Sequence, residues 1–149
     1  MCVLGGEEVK VIYQLNENQI KQLHTLYQQE WWTKERSLEE AQKVVRHSQI
    51  VIAMVDDNKN LVAFARVLTD FTIKALVFDL IVACGYRSKG LGETLLSCVL
   101  NHRDLQNIKH FELYCLPEMV QYYKKFGFET LQDLKCMRME SDKQLDHSV

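Results

Sequence analysis

Apolar positions in the first third of the chain alternate before they change to a helical spacing. Alternate apolar residues between Glu8 and Leu15 predict a strand. Asn16 and Ser37 are each followed three residues later by a glutamine or a glutamate, the spacing of a capping box at a helix start. Apolar residues recur at helical spacing after each of them. The pattern therefore predicts one strand and then two helices, the second ending near His47.

The middle of the chain is its most continuously apolar part. Three segments rich in valine, isoleucine, leucine and phenylalanine predict strands, namely Ile50–Val55, Leu61–Leu68 and Ala75–Ala83. Only short polar turns separate these segments, and connections of that length can join only antiparallel neighbours. The middle of the chain therefore predicts an antiparallel meander.

In the last third, a helical period returns over Gly90–Leu100, and His110–Cys115 again has the composition of a strand. Pro117–Gly127 predicts a helix, because proline suits a first turn and glycine suits an end. Phe128–Met139 predicts one or two closing strands. The order β-α-α-β-β-β-α-β-α-β indicates an α/β fold, with a mixed, mainly antiparallel central sheet flanked by helices. We expect a single domain over 1–149, with a polar tail from about residue 140.

Composition narrows the classes of function. A formal net charge of −2 over 149 residues leaves no clustered excess of lysine and arginine, which a nucleic-acid binder needs. No apolar run approaches the roughly 20 residues that span a bilayer, and the N-terminus lacks the pattern of a secretion signal. The five cysteines form no C-x-x-C pair, and the histidines show no metal-ligand spacing. We therefore expect a cytoplasmic protein that takes no metal and binds neither nucleic acid nor membrane.

A glycine-rich segment lies between the last apolar strand of the meander and the helix after it. Gly90 and Gly92 let backbone N–H groups approach a ligand closely, and Arg87 and Lys89 add positive charge. Free N–H groups and the positive dipole end of a helix attract anions, so the segment suits a pyrophosphate. It equally suits a simple turn, and it has neither the lysine of a P-loop nor the third glycine of a dinucleotide fingerprint.

Two segments carry a family resemblance. Residues 82–92 are Val-Ala-Cys-Gly-Tyr-Arg-Ser-Lys-Gly-Leu-Gly, and residues 122–128 are Tyr-Tyr-Lys-Lys-Phe-Gly-Phe. The first resembles the acyl-CoA signature of the GNAT superfamily of N-acetyltransferases, commonly Val-x-Pro-x-Tyr-Arg-Gly-x-Gly-x-Gly. The second resembles the family's Phe-Tyr-x-x-x-Gly-Phe signature. Cys84 and Ser88 stand where the family commonly has proline and glycine. The predicted order of elements also matches the family fold.

The resemblance implies an enzyme that uses acetyl-CoA as co-substrate and acetylates an amine by direct attack in a ternary complex. It implies that the pantetheine arm pairs with the backbone of a strand where the sheet splays, and that the glycine segment holds the pyrophosphate. The implied cofactor-binding residues are Leu80, Ile81, Val82, Arg87, Ser88, Lys89, Gly90, Leu91 and Gly92. Tyr123 matches the tyrosine with which many members protonate the leaving thiolate. A phenol pKa near 10 lies above a thiol's roughly 8.5, so Tyr123 suits that role.

Candidate acceptor-site residues lie in two places. Asp79 is the only carboxylate in its apolar segment, and a buried charge needs a partner or a purpose. Asp79 is a candidate for acceptor binding and for the catalytic base, with a salt-bridged aspartate at a strand irregularity as the alternative. Trp31, Trp32 and Arg36 lie in the segment that borders the acceptor pocket in the family. The tryptophans predict an aromatic wall of the pocket, although at least one is expected to anchor the segment to the core.

These observations predict an N-acetyltransferase whose acceptor is a small-molecule or peptide amine. Homodimers are common in the family, so a homodimer is a candidate assembly. Two alternatives remain on the same fold. The first is a non-catalytic acyl-CoA-binding or sensing module, and the second is a protein-interaction module in which the glycine segment is only a turn.

Overall fold

A computed structural model describes residues 2–4 and 7–141, with side chains from residue 7 onward. The strands are β1 Cys2–Leu4, β2 Glu7–Ile12, β3 Ile50–Val55, β4 Leu61–Thr69, β5 Lys74–Val82 and β6 His110–Leu113. The α-helices are α1 Glu17–Gln28, α2 Leu38–His47, α3 Leu91–Leu100 and α4 Val120–Lys124. Short 3-10 turns occupy Cys84–Tyr86, Arg103–Leu105 and Pro117–Met119. The chain divides into two compact units, Met1–Tyr114 and Cys115–Val149.

Both predicted capping boxes are confirmed. The Asn16 side chain accepts from the Gln19 backbone N–H at 2.8 Å, and the Gln19 side chain accepts from the Asn16 N–H at 2.9 Å. Ser37 and Glu40 form the same reciprocal pair at the start of α2. Each box satisfies two backbone donors that a helix start leaves unpaired, so it fixes where the helix begins.

The sheet of the first unit follows chain order, with each strand hydrogen-bonded to its neighbour in sequence. β1 to β5 pair antiparallel, and only β5 and β6 run parallel. This confirms the mixed, mainly antiparallel sheet. The parallel pair requires a crossover, which α3 supplies.

Two apolar clusters cover the two faces of the sheet. Ile52 of β3 packs in the cluster around α3, whereas its neighbours Val51 and Ala53 pack beneath α1 and α2. Every residue of β3 is buried. A strand that is covered on both faces has no need of polar positions, which explains the continuous apolar composition of the meander.

Two expectations from the pattern are corrected, and one strand is added. No strand forms over Phe128–Met139 in the described part of the second unit, and Leu131, Met137 and Met139 are exposed. An alternating pattern makes a strand only where a sheet edge receives it. β1 was not predicted, and the helix expected over Pro117–Gly127 is a 3-10 turn followed by the short α4.

No helix among residues 2–4 and 7–141 is long and apolar enough to cross a membrane. In the same described ranges, no group of three or more histidine, cysteine, aspartate or glutamate side chains is arranged to hold a metal ion.

Candidate active site

The sheet of the first unit opens between β5 and β6. Their register runs from Lys74 opposite His110 to Val77 opposite Leu113, and there it stops. β5 continues to Val82, whereas β6 ends at Leu113. The last five residues of β5 therefore have no β6 partner among the described residues, and one edge of β5 is open.

A β-bulge marks the start of the open segment. On β4 and β5, Arg66 lies opposite Phe78 and Phe64 lies opposite Ile81, so two residues of β5 face one of β4. The first of these two is Asp79, whose φ is +55°. A bulge bends its strand and increases the local twist. The splay thus begins where the sequence places the single carboxylate of the strand.

The backbone of Val82 faces the open edge. Ala83, the next residue, donates its N–H to the Val62 carbonyl of β4 at 2.8 Å. Because backbone groups of successive residues in a strand point to opposite edges, the N–H and C=O of Val82 point away from β4. The Val82 carbonyl accepts from Nε of Arg87 at 3.1 Å, and the Val82 N–H is directed toward the splay.

The loop after β5 is held in a conformation that few residues adopt. Ser88 has φ +64° and Gly90 has φ +78°. The left-handed region is strained for a residue with a Cβ and free for glycine. This explains why the matching position of Ser88 is commonly glycine in the resembled signature. Gly90 is the N-cap of α3, and it turns the chain sharply into that helix.

The N-terminus of α3 is open. No side chain caps it, and the first bond along the helix is from the Thr94 N–H to the Gly90 carbonyl at 3.1 Å. The N–H groups of Leu91, Gly92 and Glu93 precede that bond, so α3 itself gives them no acceptor. Three such donors at the positive end of a helix dipole form the geometry that binds phosphate groups. The residues present therefore fit the pyrophosphate of a CoA ester.

Arg87 ties the loop to the end of α1. Its Nη2 makes an ion pair with the Glu30 carboxylate while its Nε holds the Val82 carbonyl. The Cys84 thiol lies 3.6 Å from the side-chain oxygen of Gln29 in the same region. The side chain of Arg87 thus braces the end of β5 against the segment between α1 and α2.

Asp79 lies at the centre of a buried polar cluster. Its side chain is 2% exposed, and its Oδ2 accepts from the Tyr27 hydroxyl at 2.8 Å, from Arg66 Nε at 2.7 Å and from Arg36 Nη1. The Arg36 guanidinium lies 4.6 Å from the centre of the Tyr27 ring. We call Tyr27, Arg36, Arg66 and Asp79 the Asp79 cluster.

The cluster sets the protonation of its members. Burial alone would raise the pKa of the Asp79 carboxyl, but the hydrogen bonds from Arg36 and Arg66 outweigh it and hold that pKa below its usual range. Burial and the Asp79 charge raise the pKa of the Tyr27 hydroxyl well above its ordinary value. At neutral pH the cluster therefore holds an ionised aspartate, two guanidinium ions and a neutral phenol.

Both tryptophans stand out from the fold. Trp31 is 67% exposed and Trp32 is 42% exposed, whereas Thr33 beside them is buried and donates its hydroxyl to the Tyr27 carbonyl at 2.8 Å. The expectation that one tryptophan anchors the segment is wrong, because Thr33 does so. Arg36 follows at the end of the segment, where its carbonyl accepts from the Gln28 side chain at 3.0 Å.

Tyr123 belongs to the second unit. It lies on α4, with its ring edge-on to Tyr122 at 5.1 Å and to Phe128 at 6.0 Å between centres. Burial, with the charges of Tyr122 and Cys115, raises the pKa of the Tyr123 hydroxyl to about 12. The phenol therefore keeps its proton throughout the neutral range.

The sequence is similar to known acetyltransferases. A family model described as an acetyltransferase (GNAT) domain matches residues 11–139. The chain belongs to the GNAT superfamily of N-acetyltransferases. Acetyl transfer from acetyl-CoA is the general reaction of GNAT proteins.

Relatives agree with this assignment. The uncharacterised N-acetyltransferase ycf52 of Porphyra purpurea is 27% identical over 126 residues, which are 81% of this chain and 72% of that protein. A crystal structure assigned to the GNAT acetyltransferases, from Xanthomonas campestris pv. campestris, is 28% identical with a TM-score of 0.76, over 89% of this chain and 94% of that one. The protein AAC(6')-Iy, in complex with a CoA bisubstrate analogue, shares the fold at 13% identity and a TM-score of 0.68, over 90% and 99% of the two chains.

Two members of the Asp79 cluster were not among the predicted site residues. Tyr27 lies on the buried face of α1, and Arg66 lies on β4 opposite Phe78. A signal was present for Tyr27, because a tyrosine on the buried face of a helix needs a partner for its hydroxyl. Which partner it finds depends on the bulge in β5, and spacing along the chain does not encode that contact.

Proposed function

We propose that this protein transfers the acetyl group of acetyl-CoA to the nitrogen of a small-molecule or peptide amine by direct attack in a ternary complex. One observation carries the proposal, namely that β5 opens at the Asp79 bulge and that the loop after it leads to the uncapped N-terminus of α3. The open edge suits an extended pantetheine chain, and the helix terminus suits a pyrophosphate. We also propose that the protein is cytoplasmic.

The cofactor-binding role belongs chiefly to the backbone. Leu80 and Val82 lie on the stretch of β5 that β6 does not pair, while Ile81 between them packs its side chain into the core. Leu91 and Gly92 offer N–H groups at the start of α3. Acetyl-CoA supplies the thioester carbon that the amine attacks. A Val82 N–H directed to the splay can stabilise the negative charge that develops on the thioester oxygen, because a fixed donor pays little reorganisation during the reaction.

Tyr123 is the proposed proton donor to the thiolate. A phenol with a pKa of about 12 is neutral at the working pH, so it always has a hydrogen to offer. Its acidity is well below that of a thiol, whose pKa is roughly 8.5. The main contribution expected of Tyr123 is therefore a hydrogen bond to the developing thiolate, with complete transfer following as the sulfur departs.

The surroundings of Asp79 change the role that we propose for it. A base must release its hydrogen-bond donors to accept a proton, and the basicity of a carboxylate falls as its pKa falls. Asp79 holds three donors on one oxygen, and its pKa is lowered. We therefore propose that Asp79 positions Arg36 for the acceptor. The exposed rings of Trp31 and Trp32 border the same acceptor region.

Turnover tests the proposal directly. Purified protein with acetyl-CoA and a panel of amines should release CoA thiol at a rate that depends on the amine, with the acetyl group recovered on nitrogen by mass spectrometry. A matched pair of variants sharpens the assay, since Tyr123→Phe should lower kcat and Tyr114→Phe should not. Saturable acetyl-CoA binding without thiol release for any amine would favour the non-catalytic module instead.

A further inference from the structure

The Asp79 cluster carries more positive charge than its own carboxylate can balance. Arg36 and Arg66 each bring one full charge, and the ion pairs of the described residues give both of them the same partner, Asp79. The Arg36 side chain is 26% exposed and that of Arg66 is 12% exposed. Charges that are largely out of water need a partner, so one positive charge in this cluster lacks a compensating anion of its own.

Hydrogen-bonding capacity is also in excess. An arginine side chain has five N–H donors. The contacts within the cluster use Nη1 of Arg36 and Nε of Arg66, and a longer contact of 3.5 Å joins Arg66 Nη1 to the Ser48 hydroxyl. Arg36, at the end of the segment between α1 and α2, is the more exposed of the two arginines. Its guanidinium group keeps N–H donors that these contacts do not use. Guanidinium groups bind carboxylate and phosphate groups in a two-point fork, so the unused capacity suits one of these anions.

An open space beside Ser48, whose hydroxyl contacts Arg66, is lined by uncharged side chains. A cavity of about 310 Å³ lies between the end of β2, the end of α2 and the start of β3. Its lining includes Ser48, which contacts Arg66, and Val51, which lies opposite Arg66 in the sheet. The other lining side chains are neutral, among them Tyr13 and Gln14. An anion entering this side of the sheet would meet positive charge and neutral hydrogen-bonding groups.

We infer that the acceptor amine carries a carboxylate or phosphate group, and that Arg36, held by Asp79, binds this group. Arg66 is the second, more deeply placed cation. The inference rests on the proposed function for the identity of the acceptor as an amine. Amines that also bear an anionic group, such as amino acids, peptides with a nearby carboxylate and aminoalkyl phosphates, form the substrate class.

Matched pairs of amines test this class. Glycine against glycinamide, glutamate against glutamine, and O-phosphoethanolamine against ethanolamine differ in an anionic group and little else. Thiol release from acetyl-CoA gives kcat/KM for each member. We expect at least one anionic member to exceed its neutral partner by tenfold or more. Neutral members that are equal or better in all pairs would overturn the inference and leave the proposed function intact.

Variants of Arg36 assign the effect to this residue. Arg36→Gln should lower the ratio of kcat/KM for the preferred anionic amine to that for its neutral partner tenfold or more, and Arg36→Lys should restore part of this preference. Arg46→Gln, at an exposed position on α2, is the control for loss of one charge. An equal loss for both members of a pair would mean that Arg36 acts only on the fold and would overturn the inference.

A binding measurement separates failure of this inference from failure of the proposed function. Calorimetric titration of the protein with O-phosphoethanolamine and ethanolamine, with and without CoA, requires no turnover. Saturable binding of the phosphate compound that Arg36→Gln weakens tenfold would support the anion site even if no amine is acetylated. Absence of such binding for the anionic member of every pair, in a protein that does acetylate amines, would contradict the site alone.

Discussion

The open edge of β5 and the Asp79 cluster begin at the same β-bulge, but backbone groups form the first and side chains form the second. The edge and the α3 terminus present backbone N–H groups, and the roles of Val82, Leu91 and Gly92 depend little on their side chains. The cluster presents four side chains from α1, the segment after it, β4 and β5. A backbone site tolerates many sequences, whereas a buried ionic site tolerates few. We therefore expect the proposed cofactor side to depend little on side chains and the proposed acceptor side to depend on these four.

The largest effect on the unfolding free energy is expected from removing the carboxylate at the centre of the Asp79 cluster. Asp79→Ala leaves two guanidinium groups without their buried carboxylate, and breaking a buried ion pair from one side costs about 3–5 kcal/mol of unfolding free energy. Chemical denaturation measures this loss of unfolding free energy. Glu39→Ala, which removes an exposed carboxylate paired with Lys43, is the control and should cause no measurable change. A similar stability for both variants would mean that Asp79 does not hold the cluster together.

A smaller but specific effect is expected from the proposed proton donor. Tyr123→Phe removes one hydroxyl and keeps the ring, so kcat should fall about a hundredfold or more, the contribution of a positioned acid. The dissociation constant of acetyl-CoA should stay within twofold, as measured by calorimetry. A fall in affinity with kcat unchanged would show that the phenol binds rather than assists the leaving group.

The proposed backbone site at the α3 terminus is tested at Gly90, where the chain turns sharply into the helix. Gly90→Val places a branched side chain at φ +78°, which strains the loop that leads the chain into α3. We expect acetyl-CoA affinity to fall at least tenfold. Gly85→Ala is the matched control, because a Cβ there meets nothing within 4 Å and its φ is not in the left-handed region. Equal losses in both variants would point to general damage to the loop.

The pH dependence of the unfolding free energy should reveal the contribution of the Asp79 carboxylate. The Asp79 pKa is lowered in the folded protein, so its contribution is complete above the unfolded carboxyl value of about 3.9 and is lost as pH falls through the lower folded value. Denaturation between pH 7 and pH 2 should show this acid-sensitive part in the wild type. It should be missing from Asp79→Asn. A profile of Asp79→Asn parallel to that of the wild type down to pH 2 would contradict the ionised state that we assign.

The smallest effect concerns the strained serine. Ser88→Gly relieves a left-handed conformation that costs a residue with a Cβ roughly 1 kcal/mol, and the greater freedom of glycine in the unfolded chain offsets part of that gain. We expect a rise in unfolding free energy of up to about 1 kcal/mol with acetyl-CoA affinity retained. A clear loss of affinity would show that the Ser88 side chain itself contacts the ligand.

The same contrast explains what could be predicted from the sequence. The capping residues Asn16 and Ser37 and the meander are local patterns, and the structure bears them out. The prediction of a closing strand over Phe128–Met139 was wrong because a strand needs a partner that the local pattern does not contain. The contacts of the Asp79 cluster could not be predicted for the same reason. Asp79 could be singled out as a lone carboxylate, but its contacts with Tyr27 and Arg66 arise only when a bulge turns it beneath α1.

The open β5 edge and the α3 terminus form the acetyl-CoA site that we propose. Thermal unfolding of the wild type in a titration with acetyl-CoA, with CoA and ADP alongside, tests it most directly, and Gly90→Val and Gly85→Ala complete the design. A ligand at 100 times its Kd stabilises the folded state by about 2.7 kcal/mol, a shift of several degrees for a domain of this size. We predict a saturable shift with acetyl-CoA in the wild type and Gly85→Ala, strongly reduced in Gly90→Val. No shift in the wild type at millimolar acetyl-CoA would contradict the account.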